Sequence, residues 1–485
     1  MIRLLRIPAA LACAALLSAL PALPQPEPGA PLVLAGGTLI DVTNWGRSAR
    51  DLPNAVVVIR DGRIAEAGPA ASVAIPKGAQ IIDCTGKFII PGLVDGFAGL
   101  TSQAEANAHL YMGVTTVVAH SDPRRGFVDF AVSPAPHIYP IDAVGTTDNW
   151  SLLAHRPEWA SKLREGAHPV ELPPQDIARQ MADTARLGTR VLFIGPATTA
   201  ANTQWIVNHS HELHMAVYGD FVATPDRVGV EAGVDALVHS DHYTLGVIPD
   251  ELQRPLVDDP YGPSANTAFD YSDRVPPTDA RLRSYARFLA GHRTALLPTF
   301  SLSYALLPAH RNLWREPAAG ILNPHQMYEP TNSETGEMEF PLPAWAKRLP
   351  AMGQRYIEAD LQKKAQQQAR RVWSINATIF DAFPHYLAGS GADAFGSLPG
   401  ISLHTEMELL VRLGLSPREA LAAATNNYAL QFGWTELGQV APGRRADILV
   451  VDGDPTYSIW NARNIAVLIE DGNVVDRQAL LKLRR

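Results

Sequence analysis

Phe88-Ile89-Ile90-Pro91-Gly92-Leu93-Val94-Asp95-Gly96-Phe97-Ala98-Gly99 is the stretch on which the fold turns. An apolar run ends in a Gly-rich segment, the pattern of a buried strand entering a turn. Residues two apart on a strand share a face, so Phe97 and Gly99 stand together at its end. Upstream, Leu32 to Asp41 and Ala55 to Ile64 read as strands, with Asp61-Gly62 as a hairpin-turn signal. Downstream, short β-branched strands alternate with helical stretches, the pattern of βαβ units and a parallel sheet. The 485 residues suffice for a barrel of ~250 residues, a second module and insertions.

The motifs and their order resemble the amidohydrolase superfamily over nearly all of the chain after residue 30. Pro91-Gly92-Leu93-Val94-Asp95 matches the family's first barrel strand. Gly113 to Val117 resembles the second, Gly188 to Ile194 the fourth, Ala232 to His239 the sixth, Thr294 to Thr299 the seventh and Leu387 to Gly391 the eighth. Gly414 to Thr425 resembles the helix after strand eight; Ser416 as N-cap, Pro417 at the first helical position and Glu419 as the partner in a capping box support its start independently. Leu437 to Asp452 resembles the return to a small N-terminal sheet domain. The resemblance implies a (β/α)8 TIM barrel, residues 91–436, with a β-sandwich built from both chain ends, residues 31–90 and 437–485. Pro249 to Pro277 and Pro308 to Pro350 read as long insertions, placed as lids over the C-terminal strand ends.

The resemblance also implies a divalent metal, Zn or another ion, held by His-x-His on strand one, Lys on strand four, His on strands five and six and Asp on strand eight. Here those positions carry Phe97, Gly99, Phe193, Gly219, His239 and Gly391. His239 alone keeps its ligand type, and Asp393 is the one weak catalytic candidate, as a loop carboxylate near His239; Asp220 is expected to face away from the barrel axis. One histidine cannot hold an ion with an open position and lower the pKa of its water towards ~7, so no cofactor is expected. Phe97 and Phe193 are expected to converge where the ion would sit, with Gly219 and Gly391 leaving room for their rings.

Other histidines lead elsewhere. His209-Ser210-His211 is a literal His-x-His, but it falls at the end of a helix, where residues two apart diverge; it reads as a solvated surface group with His214. His239-Ser240-Asp241-His242 sits at a C-terminal strand end and reads as a pocket wall first and a catalytic group second. No nucleophile elbow, phosphate loop or dinucleotide fingerprint is present.

Residues 1–24 form a signal-peptide profile: Arg3 and Arg6, an apolar run from Ile7 to Leu20, then small residues and prolines. Cys13 lacks a convincing lipobox. Removal of this segment shifts the formal charge from -8 to -10 by loss of two arginines, which argues against nucleic-acid or anionic-membrane partners. Cys84 is then the single cysteine, so no internal disulfide forms. The expectation is an exported, periplasmic protein without a stable membrane span. By resemblance it is a hydrolase of carbon–nitrogen (non-peptide) bonds or small dipeptide-like substrates, catalytically impaired by ligand loss. The alternative is a non-catalytic pseudoenzyme that binds a small molecule or a partner, as a homo-oligomer or with an active relative.

Overall fold

The computed structural model describes residues 29–120, 132–143, 173–186, 188–260, 262–307, 310–323, 361–392 and 396–483. The signal-peptide profile and Asp393 lie outside them. Two sheets organise the chain. The first takes strands from both chain ends: β1 (Leu32–Leu39), β2 (Leu52–Arg60), β3 (Arg63–Pro69), β4 (Gln80–Asp83) and β5 (Phe88–Pro91) from the N-terminal end. The second is parallel and holds β6 (Leu93–Gly99), β7 (Val114–His120), β8 (His137–Ala143), β9 (Val191–Ile194), β10 (Ala216–Gly219), β11 (Ala236–Val238), β12 (Ala295–Leu297) and β13 (His385–Tyr386). The chain then returns to the first sheet with β14 (Ile448–Val451), β15 (Ile465–Glu470) and β16 (Asn473–Val475).

The first sheet runs β16-β15-β14-β5-β1-β2-β3, with β4 also beside β1. The two chain ends thus share one continuous mixed sheet, joined where Val451 to Ile448 pair antiparallel with Phe88 to Pro91. Leu34, Val57, Ile59, Ile89, Ile448, Val450 and Ile469 form its main apolar core. Asp61 and Gly62 both take positive φ, 49° and 73°, which closes the expected β2–β3 hairpin. Asp471 and Gly472, at 47° and 76°, repeat the device between β15 and β16.

The stretch Phe88 to Gly99 is therefore not one barrel strand. It divides at Gly92: Phe88–Pro91 completes the first sheet and Leu93–Gly99 opens the second. Gly92 lies so close to Thr115 that a Cβ there would collide with the threonine side chain, which binds the two sheets tightly at this corner.

The parallel sheet follows chain order from β6 to β13 and curls until its edges meet. The Gly96 amide donates to the Ala388 carbonyl at 3.1 Å, the Gly391 amide to Phe97 at 2.8 Å and the Gly99 amide to Ala392 at 2.9 Å. Strand alternation sorts its side chains. Val94, Val118, Val191, Tyr218, Val238, Leu297 and Leu387 pack in the interior with Phe97 and Phe193, whereas Leu93, Val117, Leu192, Val217, Leu237 and Leu296 face the surrounding helices. The capping box at Ser416 and Glu419 is fully formed. The described part of the 249–277 stretch folds into short helices, Asp250–Gln253, Arg254–Val257 and Pro263–Ser272, and buries Leu256, Ala268 and Phe269 against Val222 and Leu245. Of the 308–350 stretch, residues 310–323 are described; Arg311 ties them to Glu408 with a 2.9 Å ion pair. Among the described residues no helix is long and apolar enough to cross a membrane.

Candidate functional site

The C-terminal strand ends gather an aromatic cluster. Phe97 from β6 lies 5.8 Å from Phe193 of β9, 5.1 Å from His120 at the end of β7 and 4.8 Å, edge to face, from His239 just past β11. Such spacing is the preferred range for aromatic contacts. The expected convergence of Phe97 and Phe193 is what the chain adopts, and both rings stay partly open to the mouth. The glycines play a different part from the one expected. A Cβ on Gly219 would run into the Phe221 ring, and one on Gly391 would lie 2.6 Å from Leu302 Cδ2. Phe221 and Leu302, not Phe97 and Phe193, take the space these glycines leave.

His239 adopts positive φ, 59°, at the strand exit. Its Nδ1 lies 2.9 Å from Thr299 Oγ1, while that hydroxyl donates to the Pro298 carbonyl at 2.7 Å. Thr299 therefore accepts from Nδ1–H, which fixes the tautomer and leaves Nε2 as the lone-pair nitrogen. Burial pushes the imidazole pKa down, so the ring is neutral at pH 7. Close by, Asp220 is buried and bonded to His242 Nδ1 at 2.5 Å.

A second buried network locks the strand ends. Asp95 is fully buried and accepts from the Ser390 amide at 2.8 Å and the Ser390 hydroxyl at 2.6 Å. Burial, the dominant effect, pushes its carboxyl up to about 6. Ser301 donates its hydroxyl to the Ser390 carbonyl at 2.6 Å, and Glu406 accepts the Ser301 amide at 2.7 Å and the Phe300 amide at 3.1 Å. Burial pushes Glu406 up to about 8. Asp95 and Glu406 are thus proton-binding groups that hold the loop after β12 and the segment after β13 against β6.

The donor set at the mouth does not fit the family's divalent ion. Among the described residues, Phe97, Gly99, Phe193, Gly219 and Gly391 offer no ligating side-chain atom there, and the single group of His and carboxylates close enough to share an ion is His137, Asp447 and Asp471, at the opposite strand ends. His209 and His211 sit on the helix Ala200–Glu212 as expected. His211 is not merely solvated, however: its Nε2 lies 2.9 Å from Asp235, which raises its pKa. His120, Asp95 and Glu406 were not singled out by the sequence reading. A histidine closing a β-branched strand at Val114–His120 was the available signal for the first.

Residues 387–476 match the model of the amidohydrolase family. The resemblance read from the strand motifs is borne out. An adenine deaminase of Paracoccus denitrificans is 33% identical over 98 residues, 19% of this chain and 16% of that protein. One of Ruegeria pomeroyi is 34% identical over 203 residues, 41% of this chain and 32% of that protein. The chain thus spans well under half the length of these amidohydrolase-like relatives. Over the whole fold, a Xaa-Pro dipeptidase structure superposes with a TM-score of 0.60 at 15% identity, covering 92% of this chain and all of that one. Phenylurea hydrolase B gives 0.59 at 17% identity, covering 94% and 99%.

Proposed function

We propose that this chain is an exported amidohydrolase-scaffold protein, a (β/α)8 barrel with a two-ended β-sandwich, whose mouth binds a small-molecule or dipeptide-like ligand without the family's metal centre. Its hydrolase activity on carbon–nitrogen bonds is impaired or lost. The observation that carries this reading is the 5.8 Å approach of Phe97 and Phe193 at the strand ends where ligating side chains would have to converge. Two rings favour apolar or aromatic ligand groups by stacking and burial, and neither offers a lone pair to an ion.

A second reading, hydrolysis without metal at the mouth, is favoured by one specific feature. Neutral His239, oriented through Thr299, carries a lone-pair nitrogen at the strand ends, which suits a general base. The similarity to prolidase-like folds and to adenine deaminases supplies amide, dipeptide and aminopurine compounds as the test panel. Turnover of any of them by chelator-treated protein, abolished by His239→Ala, would establish the second reading; binding without turnover supports the first. Partners are proposed to be a second copy or an active relative rather than nucleic acid or membrane. N-terminal sequencing of the periplasmic form tests export: a start near residue 25 supports it, and an intact Met1 in the cytoplasm overturns it.

A further inference from the structure

At the strand ends opposite the aromatic mouth, the first sheet meets the start of β8. His137 opens β8, Asp447 directly precedes β14, and Asp471 forms the turn between β15 and β16. His137 Nε2 lies 3.5 Å from Asp447 Oδ2 and 3.3 Å from Asp471 Oδ1, and all three atoms lie within 4.8 Å of one another. The two His137 distances match the edge of a tetrahedron whose ligands stand ~2.0–2.2 Å from a central ion. His137 Nε2 is buried, and neither contact has the geometry of a directed hydrogen bond.

Two further observations describe the groups around these three. Asp447 is fixed by the Asp471 amide on Oδ1 at 3.0 Å and by Arg445 Nε on Oδ2 at 2.5 Å, and each carboxylate oxygen has a second lone pair to offer. Beside them Glu470 Oε1 is buried with no hydrogen-bond partner. The guanidinium beside Asp447, that of Arg445, is also committed to Thr116 Oγ1 at 2.9 Å. The Asp471 side chain is 54% exposed, which leaves one side open for a water ligand.

We propose that His137, Asp447 and Asp471 form a structural divalent-cation site, suited to Zn²⁺ by its imidazole and carboxylate donors, that pins the start of β8 to the Asp471-Gly472 hairpin. One imidazole and two carboxylates suit zinc, with water from the exposed side closing the fourth position, and an ion here would bridge the parallel sheet to strands contributed by the other end of the chain. The site is independent of any chemistry at the mouth.

The test is Zn²⁺ titration of the chelator-treated full chain by calorimetry, with Co²⁺ absorption as a second readout. One equivalent of Zn²⁺ should bind, raise the unfolding midpoint, and be replaceable by Co²⁺ with tetrahedral visible bands. His137→Ala should weaken binding by more than about tenfold, since even outer partners of a metal ligand are worth 10–100-fold. Asp471→Asn should do the same while keeping a residue that tolerates positive φ, so it guards against a folding defect in the alanine variant. His239→Ala should leave binding intact. Absence of binding by the folded parent, or affinity unchanged in both His137→Ala and Asp471→Asn, overturns the proposal.

Discussion

Asp95→Ala separates the hydrogen-bonding value of the buried carboxyl from the cost of its charge. The substitution strips the acceptor from the Ser390 amide and hydroxyl, both buried. Each orphaned donor costs about 1–3 kcal/mol, so the loss is about 2–6 kcal/mol when the carboxyl is neutral. The charged state adds an opposing effect. The folded-state pKa is raised from 3.8 to about 6, so this group's contribution to stability is fully present below pH 3.8 and is lost as pH rises through 6. A displacement of that size corresponds to about 3 kcal/mol. The alanine variant should therefore be destabilised about 2–2.5 kcal/mol less at pH 8 than at pH 4, because at pH 4 the unfolded carboxyl is already partly ionised. Urea unfolding of parent and variant at both pH values measures this, and pH effects common to both cancel in the difference. A penalty that is equal at the two pH values, or larger at pH 8, would refute the assignment of a raised pKa to Asp95 and with it the dry seam between β6 and the segment after β13.

Phe97→Ala should cost roughly 2–3 kcal/mol in unfolding free energy, below the ~3–5 kcal/mol of a fully buried phenylalanine because the ring is partly open; an unchanged denaturant midpoint would remove it from the cluster. Gly219→Ala should cost ~1–3 kcal/mol by overpacking against Phe221, with recovery on adding Phe221→Leu; a neutral single variant would contradict the packing described. Deleting Leu437 onward removes β14 and leaves β5 as an unpaired apolar edge, so the product should aggregate; a soluble, cooperatively folding truncate would show that the two chain ends do not depend on each other.

Motif resemblance places six of the eight parallel strands, though the last pairs at His385–Tyr386, just before the Leu387 to Gly391 expected for it. β8 is not among them, because His137-Ile138-Tyr139-Pro140-Ile141 carries a proline without an amide to donate, which weakens a strand reading, and yet it pairs on both sides. The inward placement of Phe97 and Phe193 follows from strand alternation and could be read locally. The roles of Gly219 and Gly391 could not, because the side chains that fill their space, Phe221 and Leu302, come from loops whose path the residue pattern does not fix. His137 and His211 illustrate the same limit. Their carboxylate partners Asp447, Asp471 and Asp235 reach them through sheet pairing and strand order, so a search of neighbouring sequence finds no companion for either.

Metal content of zinc-loaded, desalted protein, compared between His137→Ala and the His137→Ala, His239→Ala double variant, most directly tests the claim that the mouth holds aromatic rings in place of an ion. The account predicts substoichiometric metal in both. One tightly held equivalent in His137→Ala that disappears when His239 is also replaced would contradict it, and would return the metal centre to the strand ends.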